Sequence, residues 1–379
     1  MEIDRESLLL EMRRFRYLKM VPEQSEEREP CSSVEPTGRK DTVSIPWSLV
    51  LLEVAERELS HERRWYHVIR HHVLRNKGVV SFFVETFPQE EDDEMTEALV
   101  LQSDFGVSDG AVSAMYGVAH SINPEIRIFD LTHDIPPFQI WEASYRLLQT
   151  VPYWTEQTVF VSVVDPGVGS RRKSVVARTR TNQYIITPDN GTLTHLWQAG
   201  YIAEVRQLDD RRHRLPRMGE SYTFHGRDIF AFTGARLSSH VITFEEVGPL
   251  LPTEELVLLD RTFASSSDNG VTGIVEILDV RFGNVWTNIP VTLVRQVGLD
   301  IGNHVKVRVS YRDRIVYEQT LLFGHSFADV PVGSGVVYIN SLDQIALALN
   351  QGSFAHAFEV GIGNDWSVSV QHIKGGDRT

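Results

Sequence analysis

From residue 98 onward the sequence alternates short apolar runs with amphipathic stretches, and this alternation admits few folds. "ALVLQS" leads into an Ala/Val/Met/Tyr stretch from Gly110 to Ser121, then "IRIFDLT", "IWEASYRLLQTV" and "TVFVSVV". The short β-branched runs read as buried strands and the longer stretches between them as helices. Helices inserted between such strands imply right-handed crossovers and a mainly parallel, twisted sheet. "SVVARTR" and "QYIITP" read as shorter strands, and "RDIFAFTGARLSSH" as a helix. Beyond Pro249 the pattern becomes short alternating strands: "GVTGIVEILDV", "VWTNIP", "HVKVRVSY", "RIVYEQTLL" and "GVVYIN". The expected fold class is α/β. An N-terminal mainly parallel sheet with flanking helices, at 98–248, is followed by a C-terminal antiparallel all-β domain, sandwich or barrel, at 249–379.

Residues 1–97 read differently. They hold the polar, proline-containing stretch "VPEQSEEREPCSSVEPTGRKD" and two helical patterns, "ESLLLEMRRFRYLKM" and "SLVLLEVAERELSHERRWYHVIRHHVL". The acidic run "PQEEDDE" then leads directly to Met95, just before the first clean strand. The segment is an N-terminal extension that is either a regulatory or docking element or the product of a misassigned start, with Met95 as the alternative.

Composition limits the function. The 379 residues are 42% hydrophobic and 23% charged, ordinary for a globular chain with room for two domains. No apolar run approaches the ~20 residues that span a bilayer. A net charge of −14 gives no electrostatic footprint for nucleic acid or anionic membrane. The single cysteine, Cys31, excludes an internal disulfide and suits a reducing cytoplasm.

Polar clusters sit just past the carboxyl ends of the expected strands. Asp104 follows the first in "SDFGVSD", His133 the second in "LTHDIPPF", and Asp165 the third in "VVDPGVGSRR". Pro188-Asp189-Asn190-Gly191 follows "QYIIT". That edge is where open α/β sheets bind ligands. Each cluster also has a structural reading: "DPGVG" and "PDNG" as turns, "FHGRD" at 224–228 as a helix start, His133 as a satisfied core histidine. Asp104, Asp109, Asp165, Asp189, His133 and His225 together raise a metal-hydrolase reading. No ligand pair at helical spacing supports it, and Arg171, Arg172 and Arg227 would repel a cation. No metal and no cofactor are expected.

The ordered set "SDFGVSD", "INPEIRIFDLTHDIPP", "VVDPGVGSRRKSVV", "TPDNGTLT", "TFHGRDIF", "DVRFGNVWTNI" and "YINSLDQIALALNQGSF" resembles the S-adenosyl-methionine (SAM) hydroxide adenosyltransferases, relatives of the fluorinase and chlorinase. The resemblance runs from about residue 98 to the C-terminus. It implies a homotrimer with substrate held between the α/β domain of one subunit and the β-rich domain of the next. It also implies attack of water on the ribose 5′ carbon of SAM, giving adenosine and methionine, with the (R)-sulfonium epimer a candidate substrate.

The family's Asp, Arg and His map onto Asp165, Arg172 and His225. Asp104 would hold the ribose hydroxyls and Phe138 would pack on the nucleoside. Asn284 and the backbone near Leu349 would read adenine, and Asp279, Ser341 and Asn190 would face the amino-acid end. Halogenases carry a tyrosine where Asp165 stands, and the fluorinase a serine where Gly226 stands; a carboxylate beside a halide would repel it. The arginines that halogenases carry at the positions of Leu342 and Leu349 are absent, as is the glutamate that many hydrolases carry at that of Ala346. The ribose end is therefore better constrained than the amino-acid end. The rival from another class is a non-catalytic SAM- or adenosine-binding protein with residues 1–97 as its output module.

Overall fold

The computed structural model describes residues 98–216 and 223–373, and within 1–97 the backbone of three strands. The chain divides into two units, Met1–Met95 and Thr96–Thr379. In the first, β1 (Leu52–Val54), β2 (His67–Arg70) and β3 (Phe83–Thr86) form an antiparallel sheet in that order. The helix expected over 48–74 is thus corrected: part of it is strand, in keeping with the β-branched Val54, Val68 and Ile69. The helix expected over 6–20 lies outside the described residues, as does Cys31.

The second unit opens with an α/β region. β4 (Leu99–Ser103), α1 (Ala111–Ile122), β5 (Ile128–Thr132), α2 (Ile140–Thr150), β6 (Val159–Val163), β7 (Ser174–Thr179), β8 (Tyr184–Pro188), α3 (Thr194–Gln198) and β9 (Ile202–Gln207) follow one another. A π-helical turn, Gly226–Ala231, then runs into α4 (Phe232–Ser238). The six strands are ordered β5-β4-β6-β8-β7-β9. Leu99, Leu101, Val159, Val161, Val176 and Ile186 pack on one face with Met115 of α1 and Phe230 of the π-turn. Their neighbours Val100, Phe160, Val175, Ala177 and Ile185 pack on the other face with Leu147 of α2 and Leu196 of α3. Burial on both faces is why these strands read as continuous apolar runs rather than alternating ones.

The sheet is mixed. β4 pairs parallel with β5 and β6, and β6 with β8, but β7 is antiparallel to both β8 and β9. The reason is local. β7 and β8 are joined by Arg180–Gln183, with the Thr179 amide donating to the Gln183 carbonyl at 2.8 Å and Asn182 at φ 60°. Such a connection makes a hairpin and cannot hold a crossover.

The C-terminal region is a barrel. β10 (Ser265–Ser267), β11 (Gly270–Leu278), β12 (Val285–Pro290), α5 (Val291–Gln296), β13 (His304–Tyr311), β14 (Arg314–Phe323), β15 (Gly335–Ile339), β16 (Gln344–Leu349), α6 (Phe354–Ala357) and β17 (Gly363–His372) make it up. The order β11-β12-β16-β15-β14-β13-β17 closes through β11–β17, giving seven strands with β10 appended. It departs from the all-antiparallel expectation at β14–β15, which pair parallel at Leu322–Val336 and Phe323–Val337. Two short helices also interrupt the strands. Val275, Ile289, Val305, Val307, Phe323, Leu347, Val368 and Val370 fill its core.

The two regions meet through a sealed polar cluster. The His195 imidazole on α3 bonds Ser144 Oγ of α2 through Nδ1 at 2.8 Å and Glu276 of β11 through Nε2 at 2.6 Å. Arg261 clamps the same carboxylate, with Nη2 2.8 Å from Oε2. Burial alone would raise the Glu276 carboxyl, but the bonds from His195 and Arg261 outweigh it and hold it below the usual range. Trp141 Nε1 and Arg146 Nη2, both on α2, donate to the carbonyls of Glu276 and Leu278 on β11.

Candidate active site

The reversed strand assembles the site. β6 runs up to the carboxyl edge and delivers Asp165. The loop turns over through Gly169 at φ +79°, and β7 leaves downward, so Arg172 sits at the same edge seven residues later. The turn is tied by bonds from the Val168 amide to the Asp165 carbonyl and from the Ser170 amide to the Gly167 carbonyl. Arg172 Nε lies 3.0 Å from both carboxylate oxygens of Asp165, and Nη2 donates to Oδ2. Its Nη1 donates to Ser174 Oγ at 2.8 Å, and its guanidinium lies over the Phe230 ring. Side-chain exposures of 6% for Asp165 and 10% for Arg172 put the pair in a partly dry setting, where such a bidentate contact is strong.

His225 comes from the other end of the α/β region, immediately before the π-turn. Its Nδ1 is 3.1 Å from Arg172 Nη2, and its Nε2 is 3.3 Å from Arg214 Nη2. Burial first, then the two guanidinium charges, push its pKa below the ordinary imidazole value.

Asp165 and His225 share a cleft of about 270 Å³ with Asp104, Phe105, Phe138, Val168 and Phe224. Asp104 Oδ2 accepts the Phe138 amide at 2.9 Å, which fixes Phe138 at φ 70° with its side chain 68% exposed. His133 stays out of the cleft. It bonds Ser103 Oγ at 2.6 Å and Asp130 at 3.0 Å, and Asp130 in turn accepts from Tyr116, whose phenol burial and that carboxylate push up to about 12. His133 is therefore the satisfied core histidine. Asp189 accepts the Val257 amide, and among the described residues no three His, Cys, Asp or Glu side chains are grouped to hold a metal ion.

The remaining site residues do not line this cleft. Asn190 bonds the Val164 carbonyl at 2.8 Å and Thr192, bracing the loop beside Asp165. Asp279 and Asn284 belong to the β11–β12 hairpin, where the Asp279 carboxylate accepts from Asn284 Nδ2 at 3.3 Å and the Asp279 amide donates to the Asn284 carbonyl at 2.9 Å. Gly283, at φ +67°, is required there, because a side chain would run into Ser353 at the start of α6. Ser341 is exposed in the β15–β16 turn, and Leu349 ends β16. Thus Asp104, Phe138, Asp165, Arg172 and His225 come together on the sheet edge, and Asp279, Asn284, Ser341 and Leu349 belong to the barrel.

Sequence reasoning missed Arg214 and Ser174, which touch His225 and Arg172. It also missed Phe105 and Phe224, packed edge-to-face at 5.7 Å against the cleft. Ser174 and the two rings lie inside or beside quoted motifs. Arg214, in the run "DDRRHRLPR", carries no such signal.

Residues 99–248 match the model of the SAM hydroxide adenosyltransferase N-terminal domain, and 273–367 that of its C-terminal domain. The chain is 35% identical over 202 residues to the (R)-S-adenosyl-L-methionine hydrolase of Methanocaldococcus jannaschii, covering 52% of this chain and 68% of that protein. It is 32% identical over 269 residues to the hydrolase of the same description from Salinispora arenicola, covering 71% and 96%. Fluorinases match more distantly, at 27–28% identity. The crystal structure of an uncharacterized conserved protein from Thermotoga maritima superposes with a TM-score of 0.66 at 33% identity, over 72% of this chain and 100% of that one. With this coverage, and the cleft built from the same motifs, the chain belongs to the SAM hydroxide adenosyltransferase family.

Proposed function

We propose that this chain hydrolyses SAM, its (R)-sulfonium epimer included, to adenosine and L-methionine, and that Asp165, Arg172 and His225 form its water site. The observation that carries the reading is the contact of one guanidinium with both the Asp165 carboxylate and the His225 imidazole at the mouth of an apolar-walled cleft. A water oxygen attacks the ribose 5′ carbon in line with the carbon–sulfur bond. That bond breaks with its electron pair passing to sulfur, and one proton is released. The sulfonium charge is lost as the bond breaks, so a site that excludes water favours the transition state. Holding the water in line supplies several kcal/mol more. Asp104, which accepts the Phe138 amide, would accept from the ribose hydroxyls.

Hydrolysis rather than halogenation is supported twice. Asp165 would stand as a carboxylate beside the halide and repel it. A Cβ at Gly226, such as the fluorinase's serine would bring, would come within 2.9 Å of the Phe105 ring.

The reading includes a homotrimer. The cleft is smaller than the ~300–1,000 Å³ common for ligand sites, and Phe138 and Val168 in its lining are exposed. Val280 and Phe282 on the Asp279–Asn284 hairpin are 75% and 69% exposed, apolar surface suited to closing a neighbour's cleft. Asn284 and Leu349 would then read adenine, and Asp279 and Ser341, with Asn190, would hold the amino-acid end. Among the described residues no helix is long and apolar enough to cross a membrane. Action in the cytoplasm fits the single cysteine.

The test is to incubate the purified chain with racemic SAM in metal-free buffer and follow products by chromatography. Equal release of adenosine and methionine supports the reading, and the epimer left over gives the stereopreference. Tight adenosine binding without release would replace it with a non-catalytic binding protein.

A further inference from the structure

Arg172 has no donor left over for a ligand. Its Nε lies 3.0 Å from both oxygens of Asp165, while Nη2 donates to Oδ2 of that carboxylate and faces His225 Nδ1 at 3.1 Å. Its Nη1 donates to Ser174 Oγ at 2.8 Å and reaches the Lys173 carbonyl at 3.5 Å. A guanidinium carries five N–H groups in a rigid fork and no acceptor. Every one of them points at protein atoms. Neither Arg172 nor Ser174 lines the cleft. Arg172 therefore stands behind the reacting groups and acts through where it holds them.

That hold depends on orientation. One nitrogen, Nη2, meets both Asp165 and His225, so turning the guanidinium in its own plane would draw it away from one or the other. The Phe230 ring, 5.2 Å from Arg172 Cζ, opposes tilting but not that rotation. The bond from Nη1 to Ser174 Oγ opposes it from the far end of the fork. The Lys173 carbonyl is already taken by the Asp189 amide at 2.9 Å, which leaves Ser174 as the stronger anchor. Ser174 is itself well fixed. It is 2% exposed, opens β7 opposite Pro188 of β8, and its carbonyl accepts the Leu208 amide at 2.8 Å. The sheet thus gives a firm reference point to a site whose carboxylate and imidazole come from two separate connections.

We propose that Ser174 is a positioning residue for the reaction: its hydroxyl fixes the rotation of the Arg172 guanidinium, and through it the placing of Asp165 and His225 at the cleft. The inference rests on the water-site reading above. It makes turnover sensitive to a buried hydroxyl that touches neither substrate nor water.

Steady-state kinetics of the full chain on racemic SAM, with Ser174→Ala and Ser174→Cys beside the parent, give the test. Alanine removes the acceptor. Cysteine fills nearly the same volume with a sulfur that accepts hydrogen bonds weakly, which separates a bonding role from a packing one and guards against a misfolded alanine variant. The expected result is a fall in kcat of ~10- to 100-fold in both. KM and adenosine affinity should stay at the parent's values, because the residue lies behind the cleft wall. Circular dichroism identifies which variants are folded. Parental kcat in a folded Ser174→Ala or in Ser174→Cys, or a loss carried by KM, overturns the proposal. Undiminished turnover in Arg172→Lys, which keeps the charge and loses the fork, would instead overturn the water-site reading on which it stands.

Discussion

The second unit contains two clusters built from the same side chains, a carboxylate, an imidazole and an arginine, and they differ in how their hydrogen bonds close. Around Glu276, His195 donates to the carboxylate and accepts from Ser144, while Arg261 takes the remaining carboxylate lone pairs. Glu276 and Ser144 are fully buried. Around Asp165, one imidazole faces two donors, and the carboxylate opens onto a cleft. The sealed cluster joins α2 and α3 to the barrel; the open one lies on the wall of a cleft. Residue identity alone does not separate a structural triad from a reactive one. Access does.

The contrast can be broken at either end. Asp165→Ala should cut turnover by ~10²-fold or more while adenosine binding, followed by calorimetry, stays close to that of the parent. Undiminished turnover would remove Asp165 from the chemistry. Glu276→Ala should leave the cleft intact but cost ~3–5 kcal/mol of stability in urea, because it strands Arg261 and His195 in a buried site; a wild-type midpoint would show the cluster to be dispensable.

The same carboxylate makes stability depend on pH. Its pKa in the fold lies below the ordinary 4.5, so its contribution is present above that value and is lost as pH falls through the depressed one. Urea midpoints of parent and Glu276→Gln should therefore converge below about pH 4.5. Asn284→Ala should weaken adenosine affinity by ~1–3 kcal/mol, and no loss would remove the hairpin from the nucleoside site. The smallest effect is expected from deleting residues 1–94, which should leave a soluble, active chain; an insoluble product would make the extension part of the fold.

Much of this was legible in the chain itself. Strand-end clusters could be placed because β4, β5, β6 and β8 are apolar runs with polar punctuation, and sheets of this kind concentrate ligand contacts at one edge. The reversal of β7 was harder to see. "SVVARTR" reads as a strand in either direction, and the hairpin depends on four residues, Arg180–Gln183, without the glycine that marks such turns. β17 also escaped notice, since Ser367 and Ser369 alternate with the buried Val368 and Val370 in a stretch that looks polar overall. The strands β1 and β2 were hidden by charged residues at helical spacing, while their pairing is a non-local matter that no window of sequence contains. Arg214 stayed invisible for a similar reason: its contact with His225 is made between residues eleven apart, and neither residue's neighbours announce it.

Closure of the barrel also limits how copies of this chain can associate. Strand β17 joins β11 along Gly270–Val275, so at this seam the wall has no open ladder to which another chain could add a strand. The exception is β10, three exposed serines long, too short and too polar to template growth. A side-chain change on the Asp279–Asn284 hairpin therefore leaves the closing seam paired, and with it the protection that a closed wall has over an open sheet edge.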